Sequence, residues 1–300
     1  MSGILNINKP VGPTSFDIVR TVRQGTGEKR VGHGGTLDPA ASGVLVVLLG
    51  QAVRVSEYLM DLPKTYRAQI RLGVTTTTYD AEGEVTSSCD PGVSREEVED
   101  AFRHFVGDIS QVPPTHSAVK VGGKRAYALA RKGEAPELKA RTVSVYRIEL
   151  LQFDSQELEI EVECGRGTYI RSLAHDLGQA LGCGAHLSGL TRTRIGPFAI
   201  EDALTMDELE ARIVDGTWAD QLANPDAALL SLPSMTVSPE EEGRLRHGQA
   251  IAASLEPGTI GCEARAYSDS GSFVGIVVND ASDGTWRPRK IFQEVVGVAN

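Results

Sequence analysis

Apolar residues fall along the chain in short blocks whose spacing changes between two and about 3.6 residues. The opening ILNINK reads as a short strand. A Pro/Gly turn follows, and then a helix capped by Thr14 or Ser15 that stops near Gly25. The glycine-rich loop GHGGTLDPAASG runs directly into the apolar run VLVVLL at residues 44–49, which predicts a buried strand. Period-two alternation over residues 65–74 predicts another strand, and SREEVEDAFRHFV at 94–106 predicts a capped amphipathic helix with Val98, Phe102 and Phe105 on one side. The next segment is basic and broken by Pro and Gly, as an exposed excursion with a short helix inside would be. Strands resume in VSVYRIELLQF and LEIEVECG, and RGTYIRSLAHDLGQALG turns from a strand end into a helix. Residues 201–232 are acidic and helical, with LANPDAALLSLP as a linker. Residues 233–300 carry short strands between Gly/Asp/Ser turns, the pattern of a small β-barrel. Strand ladders and helices without regular βαβ alternation predict an α+β fold with a central mixed, mostly antiparallel sheet. The expected division is 1–230 and 231–300.

Composition acts on this picture by exclusion. At 300 residues, 41% hydrophobic and 23% charged, the chain can bury a sizeable core, and extended disorder is excluded. The apolar run at 44–49 is too short to span a bilayer, and the N-terminus shows no secretory pattern, so a cytoplasmic location is expected. Cys89, Cys164, Cys183 and Cys262 form no CxxC pair and the six histidines form no HExxH, so no structural metal is expected.

The net charge of −10 is unevenly placed. Residues 1–75 carry 9 basic and 5 acidic side chains and residues 112–200 carry 12 and 9, whereas residues 76–111 carry 2 and 9 and residues 201–300 carry 7 and 17. Screening limits the reach of each charge to about 8 Å at physiological salt, so a local basic surface can attract a polyanion despite the total. The two basic blocks are the segments expected to face one.

Four segments stand out as chemistry. In the loop, Gly32, Gly34 and Gly35 fit a tight turn, and the spacing matches neither a Walker loop nor GxGxxG. Asp38, between Leu37 and Pro39 and just before an apolar strand, either caps a turn or is a partly desolvated carboxylate that needs a compensating charge. Arg171 could supply that charge through a bidentate pair; in RGTYIRSL, strand alternation would put Tyr169 and Arg171 on one face and Ile170 on the other. Tyr66 is either a core aromatic at a strand start or, flanked by Lys64 and Arg67 in a chain with few aromatics, the platform for a stacked base with phosphates on either side. His33 is a loop histidine of either spacing or functional use.

Together these segments resemble the TruB family of bacterial tRNA pseudouridine-55 synthases. The resemblance rests on Gly32-His33-Gly34-Gly35-Thr36-Leu37-Asp38-Pro39 and the Ala40–Leu45 stretch after it. It extends to Lys9-Pro10, Lys64-Thr65-Tyr66-Arg67, the Gln111–Pro114 to Lys120 segment, Gly167–Leu173, Gly182–Leu187 and Leu190 to Thr193. It covers about residues 3–200 and implies an isomerase that detaches uracil from ribose and rejoins it through C5. By resemblance Asp38 is the catalytic carboxylate, attacking C6 or C1′ or assisting a glycal route; Arg171 is its ionic partner, and Tyr66 stacks on the base. Tyr169 and Leu190 would line the base pocket, His33 would act in base flipping, and Lys9 would sit in a mainly structural segment beside the site. An insertion at about 113–141, with Lys120, Lys124 and Arg125 among its basic residues, would grip the RNA. The tail at 233–300 would be PUA-like, with RPRK at 287–290 its best candidate for RNA contact.

The expected partner is the T-arm stem-loop of tRNA, met by a monomer without guide RNA or obligatory protein partner. No cofactor is expected, because the isomerisation is redox-neutral. An RNA chaperone of the same fold is the competing class; an ionised carboxylate in the cleft favours the enzyme.

Overall fold

The computed structural model describes residues 1–115, 117, 119–121, 124–126, 138–252, 261–280 and 284–293. The main sheet is built from β1 (Gly3–Lys9), β2 (Val31–His33), β3 (Ser42–Leu49), β4 (Lys64–Leu72), β7 (Gly107–Gln111), β10 (Arg141–Asp154), β11 (Glu157–Cys164), β12 (Ala185–Ile195) and β13 (Phe198–Ala199). Its order is β1-β3-β12-β4-β11-β10-β7, with β2 added to β3 and β13 to β12. Every pairing is antiparallel except β3 with β12, which meet in parallel at Thr191↔Ser42 and Arg192↔Gly43. Two small hairpins lie outside it, β5 (Val74–Thr76) with β6 (Val85–Ser88), and β8 (Lys120–Val121) with β9 (Lys124–Arg125).

The run at residues 44–49 is buried on both faces, as a central strand between two layers must be. Val44, Val46 and Leu48 enter one apolar cluster and Leu45, Val47 and Leu49 another, so the two-residue period sorts one strand between two cores. Helix α1 (Ser15–Thr26) covers the second of these through Ile18, Val19 and Val22. Its ends are set locally: Thr14 and Asp17 form a reciprocal capping box, and Gly27 closes the helix in the left-handed region at φ 70°. A third cluster lies under β4, β10 and β11, covered by α3 (Arg95–Phe102) and α4 (Ile170–Ala180). Short α2 (Ser56–Asp61) precedes β4, and α5 (Met206–Asp215) lies against α1.

Several sequence expectations are corrected. The helix expected over 94–106 ends at Phe102 and tightens into a 3-10 turn at Arg103–Phe105, which leaves Phe105 only partly buried. Tyr169 and Arg171 do not alternate along a strand edge: β11 stops at Cys164, Tyr169 caps α4, and Arg171 lies in its first turn. The stretch expected as a linker is core. Ala223 exchanges backbone hydrogen bonds with Ile4 at 2.8 and 2.9 Å, Pro225–Leu229 forms a 3-10 turn, and Ala228 and Leu229 are buried.

The second sheet has the order β14 (Ser234–Val237), β16 (Glu263–Ser268), β17 (Phe273–Asp280), β18 (Thr285–Ile291) and β15 (Ile251–Ala252), with α6 (Pro239–Arg246) beside it. It is not a free appendage, because Ile276 and Phe292 join the same cluster as Val44 and Leu229. The seam also engages two residues of RPRK. Lys290 pairs with Glu57 at 2.6 Å, Arg289 pairs with Glu263 and Glu57, and the Tyr58 hydroxyl donates to Glu263 at 2.8 Å. These two cations bind the second sheet to α2.

If the 222–232 stretch is core, Leu229→Ala costs about 2–5 kcal/mol, the range for a buried leucine. Urea unfolding checks this; a change below about 0.5 kcal/mol, typical of a surface site, would return the stretch to linker status.

Candidate active site

The loop from His33 to Ser42 has few side chains able to pack, and residues outside it fix its backbone. The Ser15 hydroxyl accepts from the Leu37 N–H at 2.8 Å and donates to the Leu37 carbonyl at 2.9 Å. The Gly12 N–H donates to Pro39 at 2.8 Å, and the Gly34 N–H to Val46 at 2.9 Å. Buried Lys9 directs its ammonium to the carbonyls of Pro10, Pro13 and Pro39 at 2.7, 2.9 and 3.5 Å. Buried Arg192 donates to Val44, Gly35 and Thr36 at 2.8, 3.1 and 3.3 Å and so clasps both ends of the loop. This clasp requires Gly43, whose φ is +105° and where a Cβ would lie 2.2 Å from the Arg192 carbonyl oxygen. The Ala41 N–H closes a turn onto the Asp38 carbonyl at 3.1 Å, and the Asp38 side chain projects from that turn.

Arg171 meets two carboxylates. Its Nη2 lies 2.9 Å from Asp38 Oδ2 and its Nη1 3.1 Å from Asp80 Oδ2. The arrangement is asymmetric: the Arg171 and Asp80 side chains are 9% and 12% exposed, whereas Asp38 is 49% exposed. Asp80 is itself held by the Thr78 hydroxyl and, at 3.1 Å, by the Glu82 N–H. Its neighbour Tyr79 adopts φ 64°, rare for a non-glycine residue, and stacks on His175 of α4 with ring centroids 3.8 Å apart. A buried, doubly anchored pair thus presents one edge of a guanidinium to a solvent-facing carboxylate.

Sequence reasoning missed Asp80. It lies in the strongly acidic 76–111 block, which charge counting set apart from the site, and the available signal was local: a carboxylate within the Thr/Gly-rich TTTTYDAEG turn. Arg192 and Gln111 were also passed over as functional positions, since neither type is distinctive without its contacts.

The remaining predicted residues divide into two groups. Tyr66 on β4 and Leu190 on β12 pack against the same apolar cluster from neighbouring strands. Half-buried Tyr169 follows the 165–167 turn. The charge of Asp38 acts on Lys9, Tyr66 and Tyr169 alike. His33 Nδ1 accepts from the Gly35 N–H at 3.3 Å, so this ring braces the loop. Lys64 and Arg67 do not flank Tyr66 as expected. Lys64 is buried and its ammonium is occupied by the Met60 and Leu62 carbonyls. Arg67 projects to the opposite face of β4 and pairs with Glu159 at 3.4 Å. Lys9 is likewise enclosed by carbonyls and holds the loop. The backbones of Lys120, Lys124 and Arg125 form the β8–β9 hairpin; the roles expected of their side chains fall outside the described residues.

The site is electrostatically lopsided. Lys9, Arg171 and Arg192 are buried around the loop that carries Asp38, with Asp80 behind Arg171 and buried Lys64 beyond Arg192. Burial pushes Lys9 down to about 8, against the pull of Asp38, and pushes Lys64 down to about 8 with Arg192 adding to the effect. Burial also lowers His33, with the Arg192 charge adding to it, and raises Tyr66 and Tyr169. This excess of positive charge favours a bound anion.

For Lys64, ordinarily near 10.5, the unfolded chain binds more protons than the folded one between pH 8 and 10.5, so its contribution to stability rises with pH across that window. Lys64→Met removes this rise. Urea unfolding at pH 7.5 and 10 checks it, and a pH slope identical to wild type would show that Lys64 is not a desolvated cation.

The model described as "TruB family pseudouridylate synthase (N terminal domain)" matches residues 23–170, and "tRNA pseudouridylate synthase B C-terminal domain" matches residues 171–232. A tRNA pseudouridine synthase B of Dehalococcoides mccartyi is 46% identical over 294 residues, 97% of each chain. One from Pseudomonas aeruginosa is 42% identical over 299 residues, 98% of this chain and 96% of its own. Among solved structures, an H/ACA RNP bound to a substrate RNA containing 2′-deoxyuridine superposes with a TM-score of 0.75 at 26% identity, covering 97% of this chain and 85% of that one. A Cbf5-Nop10-Gar1 complex gives 0.72 at 30% identity, covering 93% and 78%. With both halves of the site, the Asp38 loop and the Arg171 turn, inside the matched segments, the chain belongs to the TruB family of pseudouridine synthases.

Proposed function

We propose that the protein converts uridine 55 in the T-arm loop of tRNA to pseudouridine, acting in the cytoplasm as a single chain without a guide RNA. The observation that carries this reading is the ion pair of solvent-facing Asp38 with buried, Asp80-anchored Arg171. A carboxylate nucleophile needs no activating base, only to be ionised and held at the reacting atom. The clasped loop and the Arg171 contact hold the carboxylate in place.

The target nucleotide must leave its stack to reach Asp38, which costs a few kcal/mol. Tyr66 and Leu190 offer an aromatic and an aliphatic surface to the flipped uracil, with Tyr169 on the Arg171 side. Attack at C6, attack at C1′ and a glycal route share one balance: N1–C1′ breaks, C5–C1′ forms, the C5 proton passes to water and N1 takes up a proton. Loss of the C5 hydrogen therefore reports the isomerisation by any route. The insertion between β7 and β10 is where the RNA hairpin is gripped, through the basic residues at 120–141.

Tritium release from unmodified tRNA labelled at uridine C5, with the purified protein alone, is the expected activity. Asp38→Asn abolishes release and leaves tRNA binding within about threefold, since the exposed carboxylate contributes little to a phosphate-dominated interface. Release by Asp38→Asn at the wild-type rate would remove Asp38 from the chemistry, and binding without release by wild type would refute the enzyme.

Replacing Lys124 and Arg125 with Ala weakens tRNA binding and lowers the slope of log affinity against log salt by about one per lost phosphate contact. An unchanged slope would take these residues off the RNA surface.

A further inference from the structure

We infer that Gln111 is a positioning residue: it fixes the turn that carries Tyr169 and Arg171 and joins that turn to the root of the insertion. Gln111 ends β7, the edge strand, and pairs through its backbone register with Arg141, the first residue of β10. The chain leaves the sheet for the insertion and returns to it on this one rung. The Gln111 side chain is buried, and its carboxamide is committed at both ends to one residue. Oε1 accepts the Tyr169 N–H at 2.8 Å, and Nε2 donates to the Tyr169 carbonyl at 3.1 Å. One side chain thereby does for Tyr169 what a neighbouring strand would do, using the donor and the acceptor of its carboxamide together. The next residue adds a third bond: the Val112 carbonyl accepts from the buried Ser172 hydroxyl at 2.7 Å.

These bonds act where the turn is weakly held by its own sequence. Tyr169 caps α4 without a side-chain cap hydrogen bond, and Gly167, at φ 86°, precedes it. Two residues beyond Tyr169, Arg171 reaches both Asp38 and Asp80. A shift of the turn is therefore carried into the guanidinium, and a misplacement of about 1 Å at a reacting group can cost on the order of 100-fold in rate. The same bonds connect RNA gripping to chemistry: a load on the insertion passes through the Gln111–Arg141 rung to Tyr169 and Arg171. Gln111 touches neither the base nor Asp38 and works through the turn.

This inference rests on the isomerase reading, and the test separates the two. Single-turnover tritium release and filter-binding affinity are measured on the full chain with a C5-tritiated T-arm hairpin RNA. Gln111→Met, similar in volume but without the amide, lowers the release rate constant by about 10- to 100-fold and leaves the Kd within about twofold. Gln111→Glu keeps an acceptor for the Tyr169 N–H, loses the donor, and gives an intermediate fall. Ser172→Ala gives a smaller one. A Gln111→Met protein that melts like wild type and releases tritium at the wild-type rate overturns the inference. So does one that loses affinity alone, since a purely RNA-gripping or stabilising residue would do that. If Gln111→Met does not fold, Gln111→Glu is read by the same criteria. A silent wild type overturns the isomerase reading and this inference with it.

Discussion

The structure depends on one buried guanidinium with two carboxylates of unequal exposure. Burying the Arg171 guanidinium needs compensation, because an isolated buried ion is costly by several kcal/mol. Asp80 supplies a permanent, buried counter-charge, and Asp38 completes the fork from the solvent side. The inequality is what makes the arrangement useful. A symmetric buried pair would bury both carboxylates, whereas here the anchored Asp80 holds the arginine and the arginine holds Asp38 at the surface. Each member arrives on a different element: a loop between two strands, a turn beyond β5, and the first turn of α4. The fold's task is to bring these three segments together.

That task explains the number of side chains that serve backbone atoms. Ser15, Lys9 and Arg192 all bond to the carbonyls or N–H groups of the loop, and Gln111 and Ser172 do the same around the Arg171 turn. Both segments are rich in glycine, which allows sharp turns but gives them no core of their own. Polar side chains reaching in from helices and strands replace the missing hydrophobic anchorage. The result is also electrostatic, since the cations that bind carbonyls carry no carboxylate of their own and leave the pocket positive. An acidic protein of net charge −10 therefore encloses a positive site. Its outer arginines lie largely in surface pairs such as Arg67–Glu159 and Arg166–Asp61, which are worth little individually.

What was legible in the sequence was local and periodic. The capping box at Thr14, the doubly buried strand at 44–49 and the α+β mixture follow from spacing and propensity, and the loop and arginine motifs point to Asp38 and Arg171 through family resemblance. What was not legible depends on contacts between distant segments. The 222–232 stretch looks like a linker by composition and is core because β1 and the second sheet meet on it. Lys64 and Arg67 read as a basic pair beside Tyr66, yet strand alternation sends Arg67 to the opposite face and burial encloses Lys64. Tyr169 and Arg171 share their surroundings because the strand ends before them and a helix begins, not because they alternate. Asp80 escaped notice because block-wise charge counting averages away a single carboxylate that a turn delivers into the centre of the site.

By anchoring Arg171, Asp80 sets the geometry of the Arg171–Asp38 pair. Single-turnover tritium release by Asp80→Asn, measured beside its affinity for a T-arm hairpin, tests this most directly. The amide keeps the size of the side chain and removes the anchoring charge. A release rate lowered by at least about tenfold, the scale of a mispositioned group, is expected, with affinity close to wild type. Release at the wild-type rate by a folded Asp80→Asn protein would contradict it.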